Sequence, residues 1–514
     1  MTALSGSKEP VKDPFIGLDF IYDCLFAKPA DEYLGLLHEA FRALGPTYVS
    51  RRWTWETVYT RDEHNIKHVL ATAFDDFQLP ELRISAMAGL LGSGIFTLNG
   101  HSWATARGVL RGALAKQDRD ASMEKLERYF QALLRRVVPH QAQKDQTQDQ
   151  KQDQDQDQDQ GPAVEVDLQP LFFWLAMDFA TDLLMGRSTN TLEEGDSRGC
   201  GREEQFVQDY LTCSSEIVHK MRLGPLQFLS LNGAARRARR RIFRYIDGFI
   251  EESLRDQGEG VSGEGEMAEM GGRGGRGRGR GPGGGGGRGR TVLSELAAIT
   301  EDRKQLRDQI LHILVAGRDT TACLLSNLFF VLARKPETYA KLRREVFSIA
   351  GEKPPTAKML HQMQYLKWCV QESLRLHPVI PTNARQAVRD TTLPRGGGAD
   401  GKAPLFVRQG TLVMYNIYAM HRDEAVFGAE PEEFVPERWE GLRPGWSYLP
   451  FNGGPRICIG QKFALLETHF IVSRMVQVFE KMEAVDDGPW RELFALATTC
   501  RDGVRVRLTT YPGR

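Results

Sequence analysis

Apolar residues recur at helical spacing along most of the chain. Asp31 to Leu44, Ala121 to Val137, Asp167 to Leu184, Glu203 to Met221 and Ala234 to Leu254 each place them every three or four residues, which predicts amphipathic helices. A longer apolar helical run covers Leu306 to Leu332. Short alternating stretches, Thr47–Val58 and Leu405–Val413, predict hairpin strands. From Arg438 to Cys458 the chain is rich in Pro and Gly and is predicted to be irregular. The pattern therefore reads as mainly α with a small β portion, one catalytic domain spanning residues 1–514.

Two segments break that pattern. Residues 143–161 form a Gln/Asp/Lys tract without an apolar residue, and residues 258–290 are glycine-rich, acidic at first and then an Arg-Gly repeat. Neither can bury enough apolar surface to fold, so both are predicted to be disordered insertions. Loop-closure entropy grows slowly with length, which makes such insertions tolerable. The Arg-Gly part could touch RNA, but the acidic residues Glu259, Glu264, Glu266 and Glu269 weaken any cationic patch, and no nucleic-acid partner is expected.

Composition narrows the picture only slightly. The 514 residues are 41% hydrophobic and 26% charged, with a formal net charge of zero, so bulk attraction to nucleic acid or acidic membranes is not implied. Seven scattered cysteines lack C-x-x-C pairs, which favours reduced thiols over a disulfide scaffold or a zinc site. No run of about 18 apolar residues would make a transmembrane helix. Taken at its printed start, the chain reads as soluble.

The chemistry concentrates in short motifs. Phe451-Asn-Gly-Gly454-Pro-Arg456-Ile-Cys458-Ile-Gly460 sets one cysteine behind a glycine-rich hairpin and just ahead of a helical apolar run. Backbone N–H groups at a helix start favour a thiolate, and the glycines let a large flat ligand approach the backbone. Such a loop suits a haem iron held by a cysteine sulfur. Ala316-Gly317-Arg-Asp319-Thr320-Thr lies inside the long apolar helix, where a Gly followed by an acid and a hydroxyl predicts a distorted turn with a free carbonyl. Glu372 and Arg375 share a helix face, and Pro436-Glu-Arg438-Trp follows about 60 residues on. Trp103 and Arg107 stand one helical turn apart, able to grip one anion.

Together and in this order, W-x-x-x-R, A-G-x-D-T, E-x-x-R, P-E-R and F-x-x-G-x-R-x-C-x-G resemble the signatures of the cytochromes P450. The resemblance implies that family's fold, a single large helical domain around a buried haem b, with Cys458 as the iron ligand. It further implies that Ala316 and Gly317 lie against the haem face, Thr320 hydrogen-bonds dioxygen and Asp319 passes in protons. Phe451, Gly454 and Gly460 would shape the haem loop, and Trp103, Arg107, Arg385 and Arg456 would meet the haem propionates. Glu372, Arg375 and Arg438 would form a buried structural triad.

Val315-Ala-Gly-Arg-Asp-Thr-Thr-Ala322, Arg389-Asp-Thr-Thr-Leu-Pro-Arg-Gly-Gly-Gly398, Tyr418-Ala-Met-His421 and Leu449-Pro-Phe-Asn-Gly-Gly-Pro-Arg456 resemble the fungal microsomal alkane- and fatty-acid-hydroxylating group. That implies an apolar long-chain substrate attacked at or near its terminus, O2, and electrons from NADPH through NADPH–cytochrome P450 reductase. It also implies association with the cytosolic face of the endoplasmic reticulum membrane, although this chain lacks the usual anchor and would be cytosolic if its start is genuine. Substrate-lining segments are expected at Leu79–Phe96, Leu211–Phe228 and Val379–Arg385. Gly108 and Gly112, where the family tends to read otherwise, are expected to loosen the propionate contacts. Two alternatives stand beside this reading: a haem-thiolate isomerase or dehydratase acting on hydroperoxides without O2, against which the intact Asp319-Thr320 pair counts, and a non-enzymatic haem- or RNA-binding protein.

Overall fold

The computed structural model describes residues 33–52, 55–138, 163–193, 202–266 and 290–511. The Gln/Asp tract at 143–161 lies outside the described residues, as do 267–289 of the glycine-rich tract. The opening of that second tract continues the helix Gly233–Glu266.

Helices dominate. Those that position the site are α1 (Gly100–Ala115), α2 (Leu168–Met185), α3 (Arg202–Leu223), α4 (Arg303–Leu332), α5 (Gln364–Leu376) and α6 (Gln461–Val478). Local chemistry sets their ends. The Asp302 side chain accepts from the N–H groups of Lys304 and Gln305 and starts α4. Asp167 does the same for α2 through Gln169, and Gly186, in the left-handed region at φ 74°, closes it. The first N–H groups of α5, at Tyr365 and Leu366, are satisfied by the Glu345 carboxylate at 2.7 and 2.8 Å. Among the described residues no helix is long and apolar enough to cross a membrane.

Helix α4 organises the interior. Its C-terminal half, from Ala322 onward, packs into one apolar cluster with residues of α2, α5 and α6. Its N-terminal half, up to Val315, packs into a second cluster with residues of α3 and the helix Gly233–Glu266. A helix that is apolar on nearly every side belongs in a core. Residues 316–321, with Arg318, Asp319, Thr320 and Thr321, fall in the gap between the two clusters.

The strands β1 (Thr47–Arg52), β2 (Trp55–Thr60), β3 (Phe77–Gln78), β4 (Thr382–Ala387), β5 (Thr391–Gly397), β6 (Ala403–Val407) and β7 (Leu412–Asn416) form two sheets. β1 and β2 pair antiparallel, as expected for Thr47–Val58. The Leu405–Val413 expectation is corrected: it covers parts of β6 and β7, which do not pair with each other. β6 pairs with β5, and β7 joins the five-stranded sheet β1-β2-β7-β4-β3. The alternation was real, but side-chain period cannot tell which strand is the partner.

The irregular chain that precedes Cys458 hangs on a buried ionic knot. Arg375 Nε and Nη2 donate to the two Glu372 oxygens at 2.9 Å each, and both side chains have 0% exposure. Glu372 also accepts from the Val435 N–H, Arg438 Nε and Trp439 Nε1 at 3.0, 3.2 and 2.9 Å. Arg375 in turn donates to the carbonyls of His421, Pro431 and Glu433. Below this knot the His421 ring accepts from the Leu449 N–H at 2.9 Å, and Tyr448 Oη donates to the Gln371 carbonyl. Removing one member strands buried charge. Glu372→Ala is therefore expected to lower unfolding stability by about 3–5 kcal/mol, read from denaturant unfolding; a loss within experimental error would show that the knot does not hold this chain.

Candidate functional site: a thiol loop ringed by guanidinium groups

Cys458 sits between a tight turn and the start of α6. Its N–H donates to the Phe451 carbonyl at 2.9 Å, and the Ile457 N–H to the Gly454 carbonyl at 3.0 Å. Gly454 has φ 66°, and a Cβ there would lie 1.9 Å from the Leu70 carbonyl oxygen, so no other residue fits the turn. Asn452 holds a left-handed φ of 63° and accepts from Tyr415 Oη. Phe451 is half-buried, its ring against the apolar cluster of α5 and α6.

The thiol is open at its surface although protein crowds it closely enough for burial to dominate its acidity. Burial pushes the thiol's pKa up, while the N–H of Gly460, the charge of Arg107 and the N–H of Gln461 pull it back. The sequence expectation of a favoured thiolate is corrected to that extent. The helix-start N–H groups do face the sulfur, but desolvation outweighs them.

Four guanidinium groups converge nearby. Arg456 stacks 4.2 Å from the Trp103 ring centroid, with Arg107 at 5.8 Å. Arg107 Nη2 donates to the Ile457 carbonyl at 2.6 Å. Arg456 donates to the carbonyls of Ile95 and Leu98 and to Asn99 Oδ1. Arg385 and Arg83 share Asn383 Oδ1 at 3.2 and 2.9 Å, and Arg83 Nε has no partner. Burial first, then the charges of Arg385, Arg83 and Arg107, draws Arg456 down to about 9. Burial and Arg385 bring Arg83 down to about 10. None of the four forms an ion pair with a carboxylate among the described residues. Helix α1 runs unbroken through Gly108 and Gly112, so these glycines do not interrupt the segment that carries Trp103 and Arg107.

On α4 the expected distorted turn is absent: the helix is continuous from Arg303 to Leu332. Nor is the Ala316 carbonyl free, because Thr320 Oγ1 donates to it at 2.6 Å, the back-bonding by which a helical Thr satisfies its own hydroxyl. Gly317 has open space where a Cβ would stand. Asp319 and Thr320 do not hydrogen-bond to each other: Asp319 Oδ1 lies 2.5 Å from Arg318 Nη1, and its Oδ2 accepts from Tyr210 Oη at 3.0 Å.

One contact ties α4 to the segment that holds Arg456. The Phe96 N–H donates to His312 Nδ1, one turn before Ala316, within the segment whose carbonyls hold Arg456. The Glu372–Arg375–Arg438 knot is a separate cluster, joined to the site through the chain it pins.

This donor set fits a planar, dianionic, metal-bearing group better than a bare ion. Among the described residues no group of three or more His, Cys, Asp or Glu could hold a metal, so the lone Cys458 sulfur suits a metal whose other ligands arrive with it. The guanidinium cluster lacks anions, which paired carboxylates on the same group would supply. The glycines at 317 and 460 leave open space where side chains would otherwise stand.

Sequence reasoning missed Arg83, Tyr210 and Glu467. Arg83 falls inside the flagged segment Leu79–Phe96, but nothing local marks it. Glu467 is buried on α6, and burial pushes it up to about 8, with the Thr321 hydroxyl drawing it back. The folded protein therefore keeps a proton that the unfolded chain releases above about 4.5, and stability falls as pH rises from about 4.5 to about 8. Glu467→Gln removes that slope. Its melting temperature should gain on the parent between pH 5.5 and 8.5 in a thermal-shift series, and parallel curves would refute the assignment.

The sequence matches the cytochrome P450 family model over residues 17–498. It is 38% identical to cytochrome P450 monooxygenase himC of Aspergillus japonicus over 500 residues, 97% of this chain and 82% of that protein. Similarity to cytochrome P450 monooxygenase fsdH of Fusarium heterosporum is 37% over 515 residues, 98% of this chain and 84% of that one. Cytochrome P450 52A13 of Debaryomyces hansenii is 34% identical over 522 residues, 98% and 92% of the two chains.

Proposed function

The chain belongs to the cytochrome P450 family, and from that premise we propose that it hydroxylates long-chain aliphatic compounds, n-alkanes or fatty acids, at or near the chain terminus. Enzymes of this family are monooxygenases that use haem b and electrons delivered from NAD(P)H through a reductase. The observation that carries the reading for this chain's own residues is the Cys458 thiol, deep but open, beside four guanidinium groups that lack carboxylate partners.

In this reading Cys458 Sγ would ligate the iron, and Arg83, Arg107, Arg385, Arg456 and Trp103 would hold the two propionates. When bound, the haem supplies a redox iron whose thiolate ligand favours cleavage of the O–O bond. The protein's part is proton handling and exclusion of water. Thr320 Oγ1 has one proton, now donated to the Ala316 carbonyl; rotation about its side-chain bond redirects that proton toward the reacting oxygen. Asp319 exchanges protons behind it. The Glu372 knot keeps the thiol loop in register.

The aliphatic substrate rests on likeness to the fungal alkane- and fatty-acid-hydroxylating group and on the 34% identity to cytochrome P450 52A proteins. The same likeness supports NADPH–cytochrome P450 reductase as electron donor and attachment to the cytosolic face of the endoplasmic reticulum.

The test is turnover of the haem-loaded protein with reductase and NADPH on n-alkanes and fatty acids, with product positions read by mass spectrometry. Terminal or near-terminal alcohols support the assignment. Failure to bind or oxidise any of them, in protein that turns over another substrate class, refutes it. Thr320→Ala should keep NADPH consumption but lower product per NADPH by about tenfold or more, the balance appearing as hydrogen peroxide.

A further inference from the structure

Asp319 is held from a helix that nothing in its own segment points to. Tyr210, on α3, donates its hydroxyl to Oδ2 at 3.0 Å, while Arg318 Nη1 lies 2.5 Å from Oδ1. Arg318 is itself stacked between two rings, 4.6 Å from that of Phe173 on α2 and 5.2 Å from that of Tyr210. Tyr210, Arg318 and Asp319 are all buried, Tyr210 completely. With both oxygens engaged, the carboxylate is turned toward α3, and Thr320 Oγ1 donates elsewhere.

The arrangement is asymmetric in what it fixes. Arg318 is adjacent to Asp319 in sequence and rides on the same helix, its guanidinium held between the Phe173 and Tyr210 rings. Tyr210 is 109 positions away and anchored among apolar residues of α3 and the helix Gly233–Glu266. Its hydroxyl is the direct hydrogen bond from another helix to the carboxylate. Burial, then the charge of Asp319, pushes the phenol well above its ordinary range. It therefore stays a donor at every working pH, and the oxygen it faces is kept an acceptor.

We propose that Tyr210 is a positioning residue for proton delivery: its hydroxyl orients the Asp319 carboxylate, and so couples the placement of α3 to oxygen chemistry. The proposal rests on the reading of Asp319 as a proton-exchanging group.

Three readouts on the haem-loaded protein test this. In Tyr210→Phe, product per NADPH should fall by about tenfold, the weight of one hydrogen bond to a charged group. The balance should appear as hydrogen peroxide, while the dissociation constant of dodecane or dodecanoic acid, from the Soret shift, stays as in the parent. A residue that merely fills space would change stability and binding without lowering product per NADPH. A double-mutant cycle with Asp319→Asn, read on both product yield and unfolding midpoint, should show that Tyr210→Phe adds nothing once the carboxylate is gone.

Product yield at or above the parent in Tyr210→Phe, with Asp319→Asn impaired, overturns the proposal and leaves the Asp319 reading standing. An Asp319→Asn variant indistinguishable from the parent overturns both. Should Tyr210→Phe fail to fold, 3-fluorotyrosine at position 210 keeps the shape and strengthens the donor. Product per NADPH should then stay at or above the parent, and a loss contradicts the proposal.

Discussion

Glu372 is a carboxylate with no exposed surface that accepts hydrogen bonds from Arg375, the Val435 N–H, Arg438 and Trp439. The segment from His421 to Cys458 contains only short helical turns, so it has no ladder of its own to hold it. Its shape comes from being tied to one helix, its carbonyls to Arg375 and its Val435 N–H, Arg438 and Trp439 to Glu372. Such a knot adds little net stability over an apolar core of the same volume. What it gives is a single geometry: the cysteine at the end of the segment arrives at one place and orientation.

The site itself is built against electrostatic cost. Burial first, and then neighbouring guanidinium charges, lower Arg456 and Arg83, which like Arg107 and Arg385 lack carboxylate partners among the described residues, and burial pushes up the Cys458 thiol. Under the proposed function an anionic metal macrocycle would serve both at once, since its carboxylates would answer the arginines and its metal ion would deprotonate the thiol. On α4, in the interval between two apolar clusters, Thr320 and Asp319 are each satisfied by separate partners.

Legibility in the sequence followed the distance over which each feature is determined. The helices Leu168–Met185 and Arg303–Leu332 were readable because period and caps are local, and Glu372 with Arg375 because both lie on one turn of α5. The thiol loop was readable from the glycines its turn requires, Gly454 above all. The pairing of the strands within Leu405–Val413 was not, because β6 and β7 have their partners in different sheets. The acidity of Cys458 was misjudged because the N–H groups that favour a thiolate are adjacent in sequence, whereas the atoms that desolvate it come from elsewhere. Arg83, Tyr210 and Glu467 were invisible for the same reason: each acquires its meaning from residues on other elements, Arg385, Asp319 and Thr321 respectively.

The central claim is that Cys458 ligates a haem iron through its sulfur. The most direct measurement is the carbon monoxide difference spectrum of the dithionite-reduced, haem-loaded protein. The account predicts the red-shifted Soret band of a thiolate-ligated ferrous carbonyl. An unshifted band in protein that retains haem would contradict it, and would mean that the loop pinned by Glu372 does not deliver its cysteine to the metal.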